Sequence, residues 1–199
     1  MPHLLLSKMN IFVLSKNAKR AARFHCDKHV IKMILESIQL LTAAWYAYGQ
    51  PGWESIVSEK VASHEVTKMH GPLTKTAAYK LTHANHPCSV WVKRSASNYA
   101  WLVNMTKELC AEKRRRWPKS LPHKCEAYLD ALESPPTLLQ DVGLTPFAVA
   151  INSETIRAQY PQCTSNVDEC VQAYREYYRR DKPFAAWKNN TKPDWFSVA

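Results

Sequence analysis

The sequence predicts a mainly α-helical protein that forms one compact domain, with one or two short strands near the N-terminus. Apolar residues recur at helical spacing over long segments, while only one short run near the start has the β-branched and aromatic character of a strand. A chain of 199 residues with 46% hydrophobic residues can bury a core of its own. We divide the chain into a leader with a short strand, a helical core, an irregular proline-rich lining segment, and a C-terminal helix with an aromatic tail, at residues 1–15, 18–117, 118–165 and 166–199.

The first elements are a strand and a long helix. The run MNIFVLS, residues 9–15, predicts the strand. Ser15 or Asn17 can cap the helix that follows, which we expect to run from about residue 18 to 48. Gly49 and Pro51 then end it.

The middle of the chain predicts three further helices. A less regular helix spans 53–70, and the sequence HGP breaks it. A short helix follows at 73–82. Pro87 opens the next helix, because proline lacks the N–H that a first helical residue leaves unpaired, and Trp117-Pro118 ends it near residue 116.

The last third has less regular structure. One helix is predicted at 124–133 within the proline-rich segment, whose persistent apolar residues indicate a lining rather than a linker. Asn166, with Glu169 three residues later, has the spacing of a helix cap. That helix ends by Pro183, and the aromatic tail is expected to pack back on the domain.

The charge balance favours a polyanionic partner. Lys and Arg total 27 against 17 acidic residues, which gives +10 and a pI near 9.4. Seven Trp and nine Tyr favour nucleic acid over an anionic membrane, since flat rings stack on bases. An ordinary basic enzyme is the alternative. We expect a DNA or nucleotide substrate and no membrane partner, and the sequence leaves the oligomeric state open.

The six cysteines indicate a reduced, cytoplasmic protein. None forms a CxxC pair, so a zinc ribbon is not expected, and their irregular spacing is typical of small core residues. The N-terminus lacks the features of a signal peptide, and no stretch is expected to reach transmembrane length. Met9 is an alternative start to Met1.

The first long helix carries an acidic residue on its apolar face. Asp27 shares that face with Ile31 and Ile34, and with Ile38, Leu41 and Trp45 beyond them. A carboxylate there is costly unless it is paired. Asp27 is therefore either a paired structural acid or a functional carboxylate at the mouth of a pocket.

The opposite face of the same helix is polar. It carries His25, Lys32 and Glu36, with His29 close by. The two histidines have the spacing of a metal-binding pair, but no clear third ligand accompanies them. An exposed stripe with a Lys32–Glu36 pair is the favoured interpretation, and no metal is expected.

A second polar cluster lies in THANHPCSVWVKRSASNYAWL. Ser95 and Asn98 interrupt an apolar helical stripe that includes Trp91 and Leu102, and Arg94, Tyr99 and Trp101 flank them. Amide, rings and guanidinium together predict a wall that holds a base and a phosphate. The alternative is a helix–helix interface. His83 and His86 precede this helix.

A run of cations ends that helix. The sequence EKRRRWPK places Arg114, Arg115 and Arg116 beside Trp117. Such a run is most often a solvated face that suits the helix dipole. It is also the best single candidate for contact with a phosphate backbone.

These residues resemble a known family. The segments MNIFVLS, HCDKHVIKMILES, HPCSVWVKRSASNYAWL, TPFAVAI and AYREYYRRDK…PDWF occur in the same order in small proteins encoded mainly by tailed phages, sometimes labelled DNA glycosylases. The chain departs from the pattern EYxxRYGKxH, where it reads EKRRRWPKSLPH. The resemblance implies a role in phage DNA repair, base modification or takeover of the host, in the host cytoplasm.

The favoured function is therefore an enzyme that acts on DNA bases, most like a glycosylase. Asp27 would supply the carboxylate, and His25, His29 or His86 would move protons. The expected contacts with substrate are Lys28, Lys32, His83, Arg94, Ser95, Asn98, Tyr99, Trp101, Arg114, Arg115 and Arg116. No cofactor is expected, since Walker and GxGxxG loops are absent. The alternatives are a non-catalytic nucleic-acid-binding inhibitor of a host system and a metal-dependent nucleotide phosphohydrolase.

Overall fold

A computed structural model describes residues 9–71, 77–189 and 191–196. Within these ranges the chain forms nine helices and no strand. The helices are α1 (Ala18–Phe24), α2 (Asp27–Tyr48), α3 (Trp53–Ser63), α4 (Glu65–Met69), α5 (Pro87–Val92), α6 (Ala96–Arg116), α7 (Glu126–Ala131), α8 (Glu154–Gln159) and α9 (Val167–Asp181). The mainly helical prediction is confirmed.

The predicted strand at residues 9–15 is wrong for the described chain. The segment is buried but not paired in a sheet. The Asn10 side chain accepts hydrogen bonds from the backbone N–H groups of Ile11 and Phe12, and Phe12 has a φ of 42°. A side-chain amide therefore takes the donors that a neighbouring strand would need. The remainder of the leader lies outside the described residues.

Two predicted long helices are each interrupted by a short non-helical segment. The first breaks between α1 and α2, where His25 and Cys26 have extended φ/ψ angles. The second breaks between α5 and α6, where the Ser95 hydroxyl caps the N–H of Ser97. Each break has polar partners that accept or donate in place of the helical ladder.

The other helices follow the predictions less closely. The 53–70 helix is divided by His64, whose Nδ1 caps the N–H of Val66. Residues 77–82 are not helical, and 72–76 lie outside the described chain. Asn166 caps α9 as predicted, accepting from the N–H groups of Asp168 and Glu169. The short helix α8 was not predicted.

The core is built around α2 and α6. These two helices pack on each other, and α1 packs on α6. All six cysteines are free and buried, as small core residues are. The tail crosses the junction of α1 and α2, where Ala186 accepts the N–H of Asp27 and Phe24 accepts the indole N–H of Trp187.

The helix α2 is long and apolar enough to span a membrane by length and composition alone. It has 22 residues and a mean hydropathy of 1.2 over its most apolar window, contrary to the expectation that no stretch reaches that length. However, 61% of that window is buried inside the fold. A helix at the centre of a folded domain passes the same test, and packing against α5 and α6 gives α2 that place.

Candidate active site

Two carboxylates border the solvent-exposed strip of α2. We name this strip, which consists of Lys28, Ile31, Lys32, Leu35 and Gln39, the α2 strip; its residues are exposed or half-buried. At 100° per residue, Asp27 and Glu36 lie about 180° apart around the helix, one at each edge of the strip. They are also separated by about 13.5 Å along the helix axis. The two acids therefore belong to different local sites on one surface.

Glu36 is buried and held from two sides. Its Oε2 accepts the backbone N–H of Asn10 at 2.9 Å. Its Oε1 lies 2.9 Å from the ammonium of Lys32, whose side chain is half exposed. The carboxylate thus reaches from the core to the edge of the α2 strip. The predicted pair with Lys32 is present, but Glu36 is not on an exposed face.

Burial raises the pKa of Glu36 above its ordinary value, and its bonds to Lys32 and Asn10 oppose the shift without cancelling it. The charge of His83 also lowers that pKa, by a smaller amount. A carboxyl group with a raised pKa near the surface is suited to proton transfer. By contrast, the pKa values of Glu133, Asp141 and Glu176 are lowered.

Two histidines precede α5, and the charge of His83 acts both on Glu36 and on His86. His86 caps α5, with Nδ1 accepting the N–H of Cys88 at 3.2 Å. Burial lowers the pKa of His86, and the charge of His83 lowers it further. His83 is exposed and has a φ of 53°. We call Asn10, Lys32, Glu36, His83 and His86 the Glu36 cluster.

Three buried hydroxyl groups are near members of the Glu36 cluster in the sequence. Ser37, Thr82 and Ser89 each have a buried hydroxyl oxygen that makes no hydrogen bond with the described residues. Ser37 follows Glu36 in the chain, and Thr82 precedes His83. Buried polar atoms without partners are uncommon and are found where water or a ligand completes the site.

Asp27 has a structural set of partners. Its Oδ1 accepts from Arg116 Nη1 at 3.0 Å and from the backbone N–H of Lys188 at 3.2 Å. Its side chain is 17% exposed. Its Oδ2 accepts no hydrogen bond from the described part of the chain. Asp27 therefore joins α2 to the end of α6 and to the tail.

Arg116 is buried, contrary to the prediction that it contacts phosphate. Its guanidinium donates to the carbonyls of Arg23 and His25, and pairs with Asp27 and Glu112. Its side chain is fully buried. Four of its five donors are thus used by the chain, which leaves no face for a phosphate.

The neighbouring arginines point outward but are paired. Arg114 pairs with Glu126 and is 55% exposed, whereas Arg115 pairs with Glu112 and is 42% exposed. They remain candidates for phosphate contact, at the cost of exchanging an internal partner.

His25 and His29 are buried, so the prediction of an exposed imidazole stripe is wrong. His25 Nδ1 lies 2.7 Å from the carbonyl of Ala21, and His29 Nδ1 lies 2.5 Å from the hydroxyl of Tyr178. Desolvation lowers the pKa of His25 to about 4 and that of His29 to about 2. Both are neutral at physiological pH, so neither can act there as an imidazolium acid.

The second predicted cluster is an internal interface. Asn98 donates to the carbonyl of Trp91 and to Thr145 Oγ1, and accepts the N–H of Thr145. Tyr99 donates to the carbonyl of Leu132 at 2.5 Å and accepts from the indole N–H of Trp45. Both side chains are fully buried. Their polar groups are bonded within the fold, so neither side chain offers a free group to a bound base.

Three more predicted contacts belong to the same region. Ser95 is buried and donates to Asp141, as the cap of α6. Trp101 donates to the carbonyl of Lys16 and packs against Phe147. Arg94 alone is exposed. Lys28 and Lys32, which are also predicted substrate contacts, are exposed on the α2 strip. The Lys28 ammonium lies 4.8 Å from the centroid of the Phe184 ring.

The arrangement of possible metal ligands is the basis of the phosphohydrolase alternative. Residues 9–71, 77–189 and 191–196 contain no group of three His, Cys, Asp or Glu side chains arranged to hold a metal ion. His25 and His29, the pair with metal-ligand spacing, each have Nδ1 bonded within the fold.

A shallow, open cleft lies beside the Asp27 junction. Its volume is about 510 Å³, and it is lined by Arg116, Trp117, Pro118, Lys119, Ser120 and Lys188. The Lys188 ammonium lies 5.5 Å from the centroid of the Trp117 ring.

Comparison with known proteins gives one match. Residues 9–124 match the family model described as pyrimidine dimer DNA glycosylase, which includes both carboxylates of α2 and the whole of α6. No curated protein and no solved structure matches the chain.

Proposed function

The chain belongs to the pyrimidine dimer DNA glycosylase family, and on that premise we propose that it hydrolyses the N-glycosidic bond of a damaged pyrimidine in DNA, with Glu36 as the catalytic carboxylate. The family gives DNA as the partner and a glycosylase-like role. The identity of the lesion, the catalytic residue and the cytoplasm of a phage-infected host as its location are our proposals.

The environment of Glu36 carries this assignment. A general base works best when its pKa is raised toward the operating pH, and burial has that effect on Glu36. The group is fixed by Asn10 and Lys32, so its orientation is set before substrate arrives.

The reaction consumes one water molecule, which supplies the oxygen bonded to the sugar and the proton taken up by the base. Ionised Glu36 takes a proton from water as the water oxygen bonds to C1′ of the sugar. The C1′–N bond breaks, and its electron pair leaves with the base. The proton on Glu36 then passes to the base, which restores the carboxylate. A neutral His86 imidazole can donate a hydrogen bond from its Nε2–H to the departing base and keep that hydrogen, because Nδ1 already accepts from the N–H of Cys88.

The α2 strip supplies the contact with the DNA backbone. Lys28 and Lys32 are exposed on adjacent turns of one face, a spacing that suits successive phosphates. The chain carries ten more positive than negative groups, which favours association with a polyanion.

Asp27 is the weaker candidate for the carboxylate. Its Oδ1 is committed to buried Arg116 and to the N–H of Lys188. Removing its charge would therefore disturb a structural junction first. Its Oδ2 accepts no hydrogen bond from the described chain and could still contact substrate. Parallel substitution of Asp27 and Glu36 distinguishes the two acids.

The test uses a labelled duplex that carries one cyclobutane pyrimidine dimer. Since the two bases of a dimer are joined, cleavage of one glycosidic bond leaves the base attached to its neighbour. The abasic sugar is therefore detected by strand scission in hot alkali. We expect scission at the dimer with the wild-type protein and none on the undamaged duplex. Binding of both duplexes without scission would identify a non-catalytic DNA-binding protein instead.

A further inference from the structure

The cleft beside Asp27 contains a second group of cations, outside the Glu36 cluster. Lys119 and Lys188 are exposed at its rim, and Trp117 forms part of its wall. Lys119 lies within the matched family segment, whereas Lys188 comes from the tail that follows it. The cleft is therefore assembled from two distant parts of the chain.

The cleft is organised by internal contacts. Asp27 Oδ1 holds Arg116 and the N–H of Lys188 together. Next to Lys188, the side chain of Asn189 donates to the carbonyl of Arg115 at 3.2 Å. The Lys188 ammonium rests over the Trp117 ring, an arrangement that keeps a cation oriented without neutralising it. Neither Lys119 nor Lys188 forms an ion pair with the acids of the described chain.

We propose that this cleft anchors a DNA backbone phosphate through Lys119 and Lys188, at a distance from the Glu36 cluster. This proposal rests on the proposed function for the partner, DNA, but not on catalysis. The cleft adjoins Asp27, which is about 13.5 Å from Glu36 along α2. Asp27 and Glu36 also lie on opposite sides of the helix, so this axial separation is a minimum. Each base step advances a strand by about 3.4 Å, so the anchored phosphate lies at least about four steps from the reacting sugar.

The first experiment measures binding alone. The affinity of the Lys119→Ala/Lys188→Ala protein for an undamaged duplex is followed by fluorescence anisotropy at several salt concentrations. Loss of two phosphate contacts should make the negative slope of log K against log salt shallower by about 1.8, and it should weaken binding at least about tenfold at low salt. The control, Lys60→Ala/Lys68→Ala, removes the same charge from exposed positions of α3 and α4.

The comparison of the two double variants decides the outcome. A larger loss in the Lys119/Lys188 variant supports the anchor, whereas equal losses, or no loss, overturn it. Absence of base excision by a protein that still shows the specific loss would reject the proposed function while the anchor stands.

A second experiment tests the distance. Dimer duplexes are shortened to two base pairs on one side of the lesion, and each side is tested in turn. Shortening on one side should weaken binding by the wild-type protein and abolish the effect of the Lys119→Ala/Lys188→Ala change. An effect that persists with both shortened duplexes contradicts an anchor at least about four steps away.

Discussion

The backbone N–H of Asn10 donates a hydrogen bond to Glu36 Oε2 across 2.9 Å. This contact ties the buried N-terminal segment to the middle of α2, and the Asn10 side chain donates in turn to the carbonyl of Ala150. The carboxylate of Glu36 is thereby fixed at a point where three parts of the chain meet. Such fixation is what a proton-transfer group requires, and the predictions for the pH dependence and for Glu36→Gln follow from it.

The pH dependence of excision should report the ionisation of Glu36. Burial raises its pKa above the ordinary value of 4.5. A general base must be ionised, so kcat/KM should fall as the pH drops through the raised pKa. The acid limb, measured with the dimer duplex at constant ionic strength, should therefore lie above pH 4.5. A limb at or below that pH would show that another group acts as the base.

Arg116 should be essential for stability. Its buried guanidinium serves two carboxylates and two carbonyls, so Arg116→Ala should lower the free energy of unfolding by about 3–5 kcal/mol. The adjacent Arg115→Ala, at an exposed pair, should cost less than about 1 kcal/mol. Urea denaturation at pH 7 compares them. Similar losses in the two variants would mean that Arg116 is not the internal hub described above.

The buried imidazoles should make the fold sensitive to acid. In the unfolded chain both histidines bind protons below about pH 6.5, whereas in the folded chain His25 remains neutral down to about 4 and His29 down to about 2. The unfolded state then binds more protons, so stability falls as the pH drops from about 6.5 toward 4. Each histidine contributes a slope of about 1.4 kcal/mol per pH unit.

Substitution of His29 tests this linkage. Urea unfolding between pH 6.5 and 4 should show a slope reduced by about 1.4 kcal/mol per pH unit in His29→Gln. Tyr178→Phe removes the partner hydroxyl but leaves the imidazole, so its slope should match that of the wild type. An unchanged slope in His29→Gln would argue that His29 is already protonated in the folded protein.

Asn98 should affect stability and not catalysis. Asn98→Ala leaves the carbonyl of Trp91 and the N–H of Thr145 without their partner, which should cost about 1–3 kcal/mol. Excision per folded molecule, assayed well below the melting temperature, should stay within about twofold of wild type. A loss of tenfold or more in kcat/KM would return Asn98 to the substrate site.

The sequence predicts the helices better than the site, and α2 shows why. A wheel drawn through Ile34, Ile38 and Leu41 places Glu36 on the polar side. The buried part of the helix surface also includes Val30, Met33 and Leu40. When they are counted, the buried surface extends as far as Glu36. Ile31, placed in the core by the narrower stripe, is instead 41% exposed. When most of a helix surface is buried, a single apolar stripe does not predict which of its residues are exposed.

The arginine run shows a second limit. Arg114, Arg115 and Arg116 are three identical residues in a row, yet of these three only Arg116 is buried. Its burial depends on carbonyls left unpaired where α1 ends, and that break becomes visible only once the tertiary contacts are known. By contrast, the cap at Asn166 depends on neighbours within three residues, and it was predicted correctly.

The most direct test of the account is the single-turnover rate of excision from the dimer duplex, measured in parallel for Glu36→Gln and Asp27→Asn. Glutamine retains an oxygen for the N–H of Asn10 but cannot take a proton from water, so the rate should fall about 10²–10⁴-fold with DNA affinity preserved. Asparagine retains the acceptor for Arg116 and Lys188, and its rate should fall less than about tenfold. A Glu36→Gln protein that excises at the wild-type rate, beside an inactive but folded Asp27→Asn protein, would contradict the assignment and make Asp27 the catalytic carboxylate.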